Sequence, residues 1–141
     1  MTPSINKKIA LTLSSAIAKG QWDLVDNLLV PDFTYVSDGQ LPLNKEQYIY
    51  FMRNVLCAAM TDMEMRFLHV IEEDNLVAVL YTNEMTHTGP FMGVPPTGKR
   101  VVATGQFIRQ VEEGRIVAEW QTTNAMGLLA QLGIHPKPND Q

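Results

Sequence analysis

The chain has 141 residues, 45% hydrophobic and 18% charged, with 8 prolines and 9 glycines, which fits one folded domain over residues 1–141 and excludes a disordered or fibrous chain. A net charge of -4, from 15 acidic against 11 basic side chains with no clustered Lys and Arg, excludes the phosphate-tracking surface that nucleic acid requires. Apolar runs such as Leu76 to Tyr81 fall far short of the about 20 residues of a spanning helix, so no membrane segment is expected. The N-terminus lacks the apolar core and cleavage site of a secretory signal, so a cytoplasmic protein is expected. A single cysteine, Cys57, can form neither an intrachain disulfide nor a cysteine-rich metal site.

Ser4 is placed to cap a helix in which Ile5, Ile9, Leu13 and Ile17 recur every four residues before Gly20. A second helix follows from Gln21 to Leu29, ended by Pro31, which biases Val30 away from helical angles. Phe33 to Val36 reads as a short strand, and Asp38, Gly39 and Pro42 as a loop. Asn44 with Gln47 has the spacing of a capping box. The helix it opens runs to about Ala59, with Tyr48, Phe51, Val55 and Ala59 on one face.

Extended segments then cover Met63 to Glu72, Leu76 to His87, Arg100 to Val111 and Arg115 to Thr123, an expected antiparallel meander. Ala125 to Leu132 returns to helical periodicity before Gly133 and the tail prolines Pro136 and Pro138. Helices gathered ahead of long antiparallel strands indicate an α+β fold in which helices cover one face of a curved sheet. Order alone leaves open whether that space is packed solid or holds a cavity.

The segment His87-Thr-Gly-Pro-Phe-Met-Gly-Val-Pro-Pro-Thr-Gly-Lys99 is followed by Gly114-Arg-Ile-Val, Trp120 and Gly127-Leu-Leu-Ala-Gln-Leu-Gly133. In order and spacing this resembles the SnoaL-like polyketide cyclase family. The resemblance implies a cone-shaped α+β barrel, like ketosteroid isomerases and nuclear transport factor two, in which a curved sheet and helices enclose a deep apolar pocket. It also implies cyclisation or isomerisation of an apolar, oxygenated, polyketide-derived small molecule without metal or organic cofactor, in a homodimer or higher homo-oligomer built on the outer sheet. A cofactor-independent monooxygenase and a non-catalytic small-molecule-binding protein are the alternatives.

The Gly/Pro segment between His87 and Lys99 reads as an ordered rim loop; it lacks the spaced glycines and following helix of a phosphate cradle. The family's acidic side chain belongs four residues after the tryptophan, where this chain has Asn124, an amide that orients a carbonyl but takes up no proton near neutral pH. The family's basic position in the preceding strand falls on Gln110, or on Arg109 if the register moves by one. Histidine is the side chain suited to proton transfer near neutral pH, which makes His87 the candidate base; equally, it can fix the rim loop. His69 and His135 have no partners spaced for a metal.

Tyr35 offers a hydroxyl to a ligand or packs as a core aromatic. Tyr48, Phe51 and Met52 are placed to line the cone or to pack its core. By strand parity Trp120 goes inward with Thr122 and Asn124, forming a pocket wall, and Val117, Glu119, Gln121 and Thr123 face outward.

Overall fold

The computed structural model describes residues 4–134. Helix α1, Ile5–Lys19, starts at Ser4, whose hydroxyl accepts from the Lys7 N–H at 3.0 Å, and stops at Gly20 in the left-handed region. Its buried face runs through Ala10, Leu13, Ser14 and Ile17, while Ile5 stays exposed, because a strict four-residue repeat drifts around a helix of 3.6 residues per turn. Helix α2, Trp22–Leu28, passes directly into strand β1, Leu29–Ser37. Pro31 therefore lies inside a strand, in a bulge where five residues of β1 advance against two of its neighbour, so its missing N–H breaks no ladder.

After the short β2, Leu43–Asn44, Asn44 and Gln47 close a complete capping box on α3, Lys45–Tyr50. The helix widens into π-turns over Phe51–Leu56 and ends as α4, Cys57–Ala59. The inward line thus runs Tyr48, Met52, Ala59, and Phe51, expected on the lining face, is turned to the rim at 36% exposure. Three long hairpin-linked strands follow, β3 (Met60–Glu73), β4 (Leu76–His87) and β5 (Arg100–Glu112), then β6 (Arg115–Thr123) and helix α5 (Ala125–Gln131).

The six strands form one sheet in the order β2-β1-β6-β5-β4-β3, left open between its edges. The meander is antiparallel as expected, and β1 joins it in parallel along β6, making the sheet mixed. One core lies between α1, α2, α3 and the sheet. A second lies under α5 and the rim loop, with Met60, Met85, Phe91, Val94, Val101 and Leu128. Among the described residues no helix is long and apolar enough to cross a membrane, and no three His, Cys, Asp or Glu side chains converge as a metal site would need. His135 and the tail prolines lie outside the described residues.

Candidate active site

Which side chains enter the cone is decided by strand parity. On β4 and β5 the alternation is regular: Val77, Val79, Tyr81, Asn83, Met85 and His87 face inward, as do Val101, Ala103, Gly105, Phe107, Arg109 and Val111. Pairing of β5 with β6 sets Arg109 opposite Glu119, Phe107 opposite Gln121 and Gly105 opposite Thr123. The inward set of β6 is therefore Glu119, Gln121 and Thr123, the reverse of the sequence expectation.

Trp120 lies on the outer face at 41% exposure and forms no wall of the cone. It stands in a cross-strand row with Val36, Ile108, Ala78 and Ile71. Counting parity from Asn124 back to Trp120 fails because Asn124 lies beyond the end of β6, as the N-cap of the next helix, and gives no inward reference for the strand. Gln110 likewise points away from the cone and donates to Glu112 at 3.3 Å, so the inward basic residue is Arg109.

Deep in the cone, the Arg109 Nε donates to Glu119 Oε1 at 2.7 Å. One terminal nitrogen of Arg109 reaches Ala10 O at 2.5 Å and Ser14 Oγ at 2.7 Å on α1. The Tyr48 hydroxyl donates to the same Glu119 oxygen at 3.1 Å, and the guanidinium lies 3.8 Å over the Phe107 ring. This network ties both covering helices to the sheet. Burial, the largest influence, would lower the Arg109 pKa; the Glu119 charge and hydrogen bond, with Tyr48 and Tyr81, together outweigh it and raise the value. Burial, then the Glu119 charge, pushes the Tyr35 and Tyr48 phenols well above the usual tyrosine range. Tyr35 packs against Tyr48 with ring centroids 4.8 Å apart. Glu119 Oε2 is buried without a partner among the described residues.

Nearer the mouth the environment is less closed. Ser37, Met63, Met65, Phe67, Gln121 and Thr123 are half-buried and surround the buried Tyr81 and Asn83. Gln121 Nε2 donates to the Tyr81 hydroxyl at 2.5 Å and to Thr123 Oγ1 at 2.9 Å. Burial raises the Tyr81 pKa against the opposing pull of the hydrogen bonds from Thr123 and Gln121. Tyr81, Asn83, Gln121 and Glu119 are inward polar groups that the sequence does not single out as site candidates. Correct strand parity would have placed the last two inside.

His87 is fully buried where β4 enters the rim loop. Its Nδ1 accepts from the Thr97 N–H at 3.2 Å and meets the Thr97 hydroxyl at 2.9 Å, while its backbone pairs with Lys99 O and Gly98 N. Accepting at Nδ1 assigns the ring hydrogen to Nε2, which has no partner among the described residues. The loop itself is ordered: Phe91 and Val94 bridge each other and are buried, and Thr88 and Gly89 donate to Ala59 O. Asn124 is the N-cap of α5, its Oδ1 accepting from the Gly127 N–H at 2.9 Å. Both sequence candidates for catalysis are thus engaged in holding local structure.

The SnoaL-like polyketide cyclase model matches residues 7–132. AclR from Streptomyces galilaeus, a proposed hydroxylase, superposes with a TM-score of 0.83 at 26% identity, over 93% of this chain and 97% of AclR. IdmH from Streptomyces antibioticus, a proposed polyketide cyclase, gives 0.81 at 27%, over 92% and 99%. A proposed polyketide cyclase from Acidithiobacillus ferrooxidans gives 0.83 at 22%, over 94% and 98%, a likeness of fold. No curated protein sequence matches. With nearly the whole chain matched and the α+β fold in place, this protein belongs to the SnoaL-like polyketide cyclase family.

Proposed function

We propose that the chain is a cofactor-independent cyclase or isomerase of apolar, oxygenated, polyketide-derived small molecules. The observation that carries this reading is the inward wall where half-buried Met63, Met65 and Phe67 flank the polar heads of Tyr81, Asn83 and Gln121. Similarity to IdmH supports the reaction class. An enolised 1,3-dicarbonyl needs no strong base: its carbon attacks a second carbonyl, the new carbon–carbon bond forms, and that carbonyl oxygen takes the proton to become a hydroxyl. The protein then contributes folding of the chain into a reactive pose and hydrogen bonds to the oxygen gaining charge. His87 and Asn124 serve this chemistry as supports of the rim and of α5 rather than as proton acceptors.

The test is ring closure of a linear aromatic β-diketo ester, followed by proton NMR in the presence of a chelator. Closure faster than in buffer supports the reading, and equal rates overturn it. Similarity to AclR favours a second reading, hydroxylation, which predicts oxygen consumption with the same substrate. Tight binding without turnover would make the chain a binding protein of this fold.

The same proposal includes a homo-oligomer formed through the outer sheet face. There Val36, Ile71, Ile108 and Trp120 flank a groove of about 520 Å³, an apolar area of the kind that marks association. Sedimentation of Trp120→Glu should show smaller particles than the parent chain; unchanged particles of one chain each would overturn it.

A further inference from the structure

Gly105 stands in the middle of β5 with neither a turn nor a left-handed backbone to explain it. Glycine inside a strand weakens it, and its presence there marks a close approach. Here the approach is by Tyr81: a Cβ at position 105 would lie 2.7 Å from the Tyr81 hydroxyl oxygen, and also 2.7 Å from Thr122 O. The Tyr81 ring is backed by Phe107 at 5.7 Å, and its oxygen already accepts from Gln121. With that oxygen occupied as an acceptor, the hydroxyl hydrogen is free to be given away.

Two residues along the same face of β4, Asn83 is 7% exposed. Its Nδ2 makes only a long contact to Met63 Sδ at 3.6 Å, and its Oδ1 has no partner among the described residues. A buried amide oxygen without a donor is unfavourable, and none of the inward neighbours supplies one. Tyr81 thus presents a donor and Asn83 an acceptor on one wall of the cone, among Met63, Met65 and Phe67.

We propose that Tyr81 and Asn83 are the polar recognition pair of the cone, Tyr81 donating to a ligand carbonyl oxygen and Asn83 Oδ1 accepting from a ligand hydroxyl. Their natural ligand is a hydroxy ketone or enolised dicarbonyl on an apolar ring system. This rests on the reading of the cone as a site for apolar oxygenated molecules, and it adds which groups read the oxygens. Gln121 and Gly105 act through Tyr81 and are positioning residues.

The experiment measures binding of three bicyclic probes to the full chain: 1-tetralone (carbonyl only), 5,6,7,8-tetrahydro-1-naphthol (hydroxyl only) and tetralin (neither). Tyr81→Phe should weaken 1-tetralone about tenfold, the loss of one hydrogen bond, and abolish the red shift of its bound carbonyl stretch, with the naphthol unaffected. Asn83→Leu should weaken the naphthol alone, and Asn83→Asp, which keeps an acceptor, should retain it. Gly105→Ala should reproduce the Tyr81→Phe pattern by displacing the hydroxyl. Both oxygenated probes binding as well to Tyr81→Phe and Asn83→Leu as to the parent chain would overturn the pair while leaving the cone a ligand site. Failure of all three probes, tetralin included, to bind the parent chain would overturn the reading of the cone and the pair with it.

Discussion

The two polar groups inside the cone differ in what their hydrogen bonds are used for. In the deep group, Arg109 on β5 reaches Glu119 on β6 and Ala10 and Ser14 on α1, and Glu119 also holds Tyr48 on α3, so four elements meet at one ion pair. In the shallow group, Tyr81 and Gln121 bond to each other and Asn83 keeps a free acceptor. Polarity directed at other elements holds a fold together. Spare capacity flanked by half-buried apolar side chains, as at Asn83, is available to a ligand, whereas the unpartnered Glu119 Oε2 is enclosed at 1% exposure.

The largest expected effect separates these roles. Arg109→Leu or Glu119→Leu strands one buried charge and should cost about 3–5 kcal/mol in urea unfolding, whereas the double substitution, which strands none, should recover most of that loss. Tyr81→Phe should cost no more than about 1.5 kcal/mol. A double variant as unstable as the sum of its singles would show that the deep pair is not one unit.

Alkaline pH is the next lever, and it acts on both groups. Tyr35, Tyr48 and Tyr81 have native pKa values above the unfolded value near 10. The stability they contribute is fully present below about pH 10 and is lost as pH rises through their native values, because the unfolded phenols release protons that the folded ones keep. Each contributes a slope of up to about 1.4 kcal/mol per pH unit in that window. Unfolding measured by urea from pH 9 to 11 should steepen accordingly, and Tyr48→Phe should remove one share of the slope. A flat profile across this range would contradict the burial of these phenols.

The fold was largely legible because its signals are local: the Ser4 cap, the Asn44–Gln47 box, the Asp74-Asn75 and Glu113-Gly114 hairpins and the rim loop each act over a few residues. The parallel pairing of β1 with β6 was not legible, since it joins segments about eighty residues apart and no turn encodes it. The site was misread for a related reason. Alternation along β6 says that Glu119 and Trp120 face opposite ways; which way is inward is set by pairing with β5, where Arg109 and Phe107 stand opposite Glu119 and Gln121. Asn124, one residue past the strand end, is a helix cap and gives no inward reference. A tryptophan on the outside and a glutamate inside also invert the usual burial order, which only the Arg109 partner explains.

The smallest expected effect concerns Asn124, where the family's carboxylate belongs. Its Oδ1 satisfies the Gly127 N–H, and a Cβ at residue 127 would lie 2.7 Å from Asn124 Nδ2, so glycine there lets the cap close. Asn124→Ala should therefore cost about 1 kcal/mol. Asn124→Asp should retain the cap, since aspartate accepts from the same N–H and its charge suits a helix start. A carboxylate so engaged gives the cone no new base, and the pH dependence of any turnover should stay as in the parent chain. A new acidic limb in the Asn124→Asp profile would show instead that position 124 swings into the cone, and that the asparagine there, rather than the Tyr81 wall, sets the chemistry of this chain.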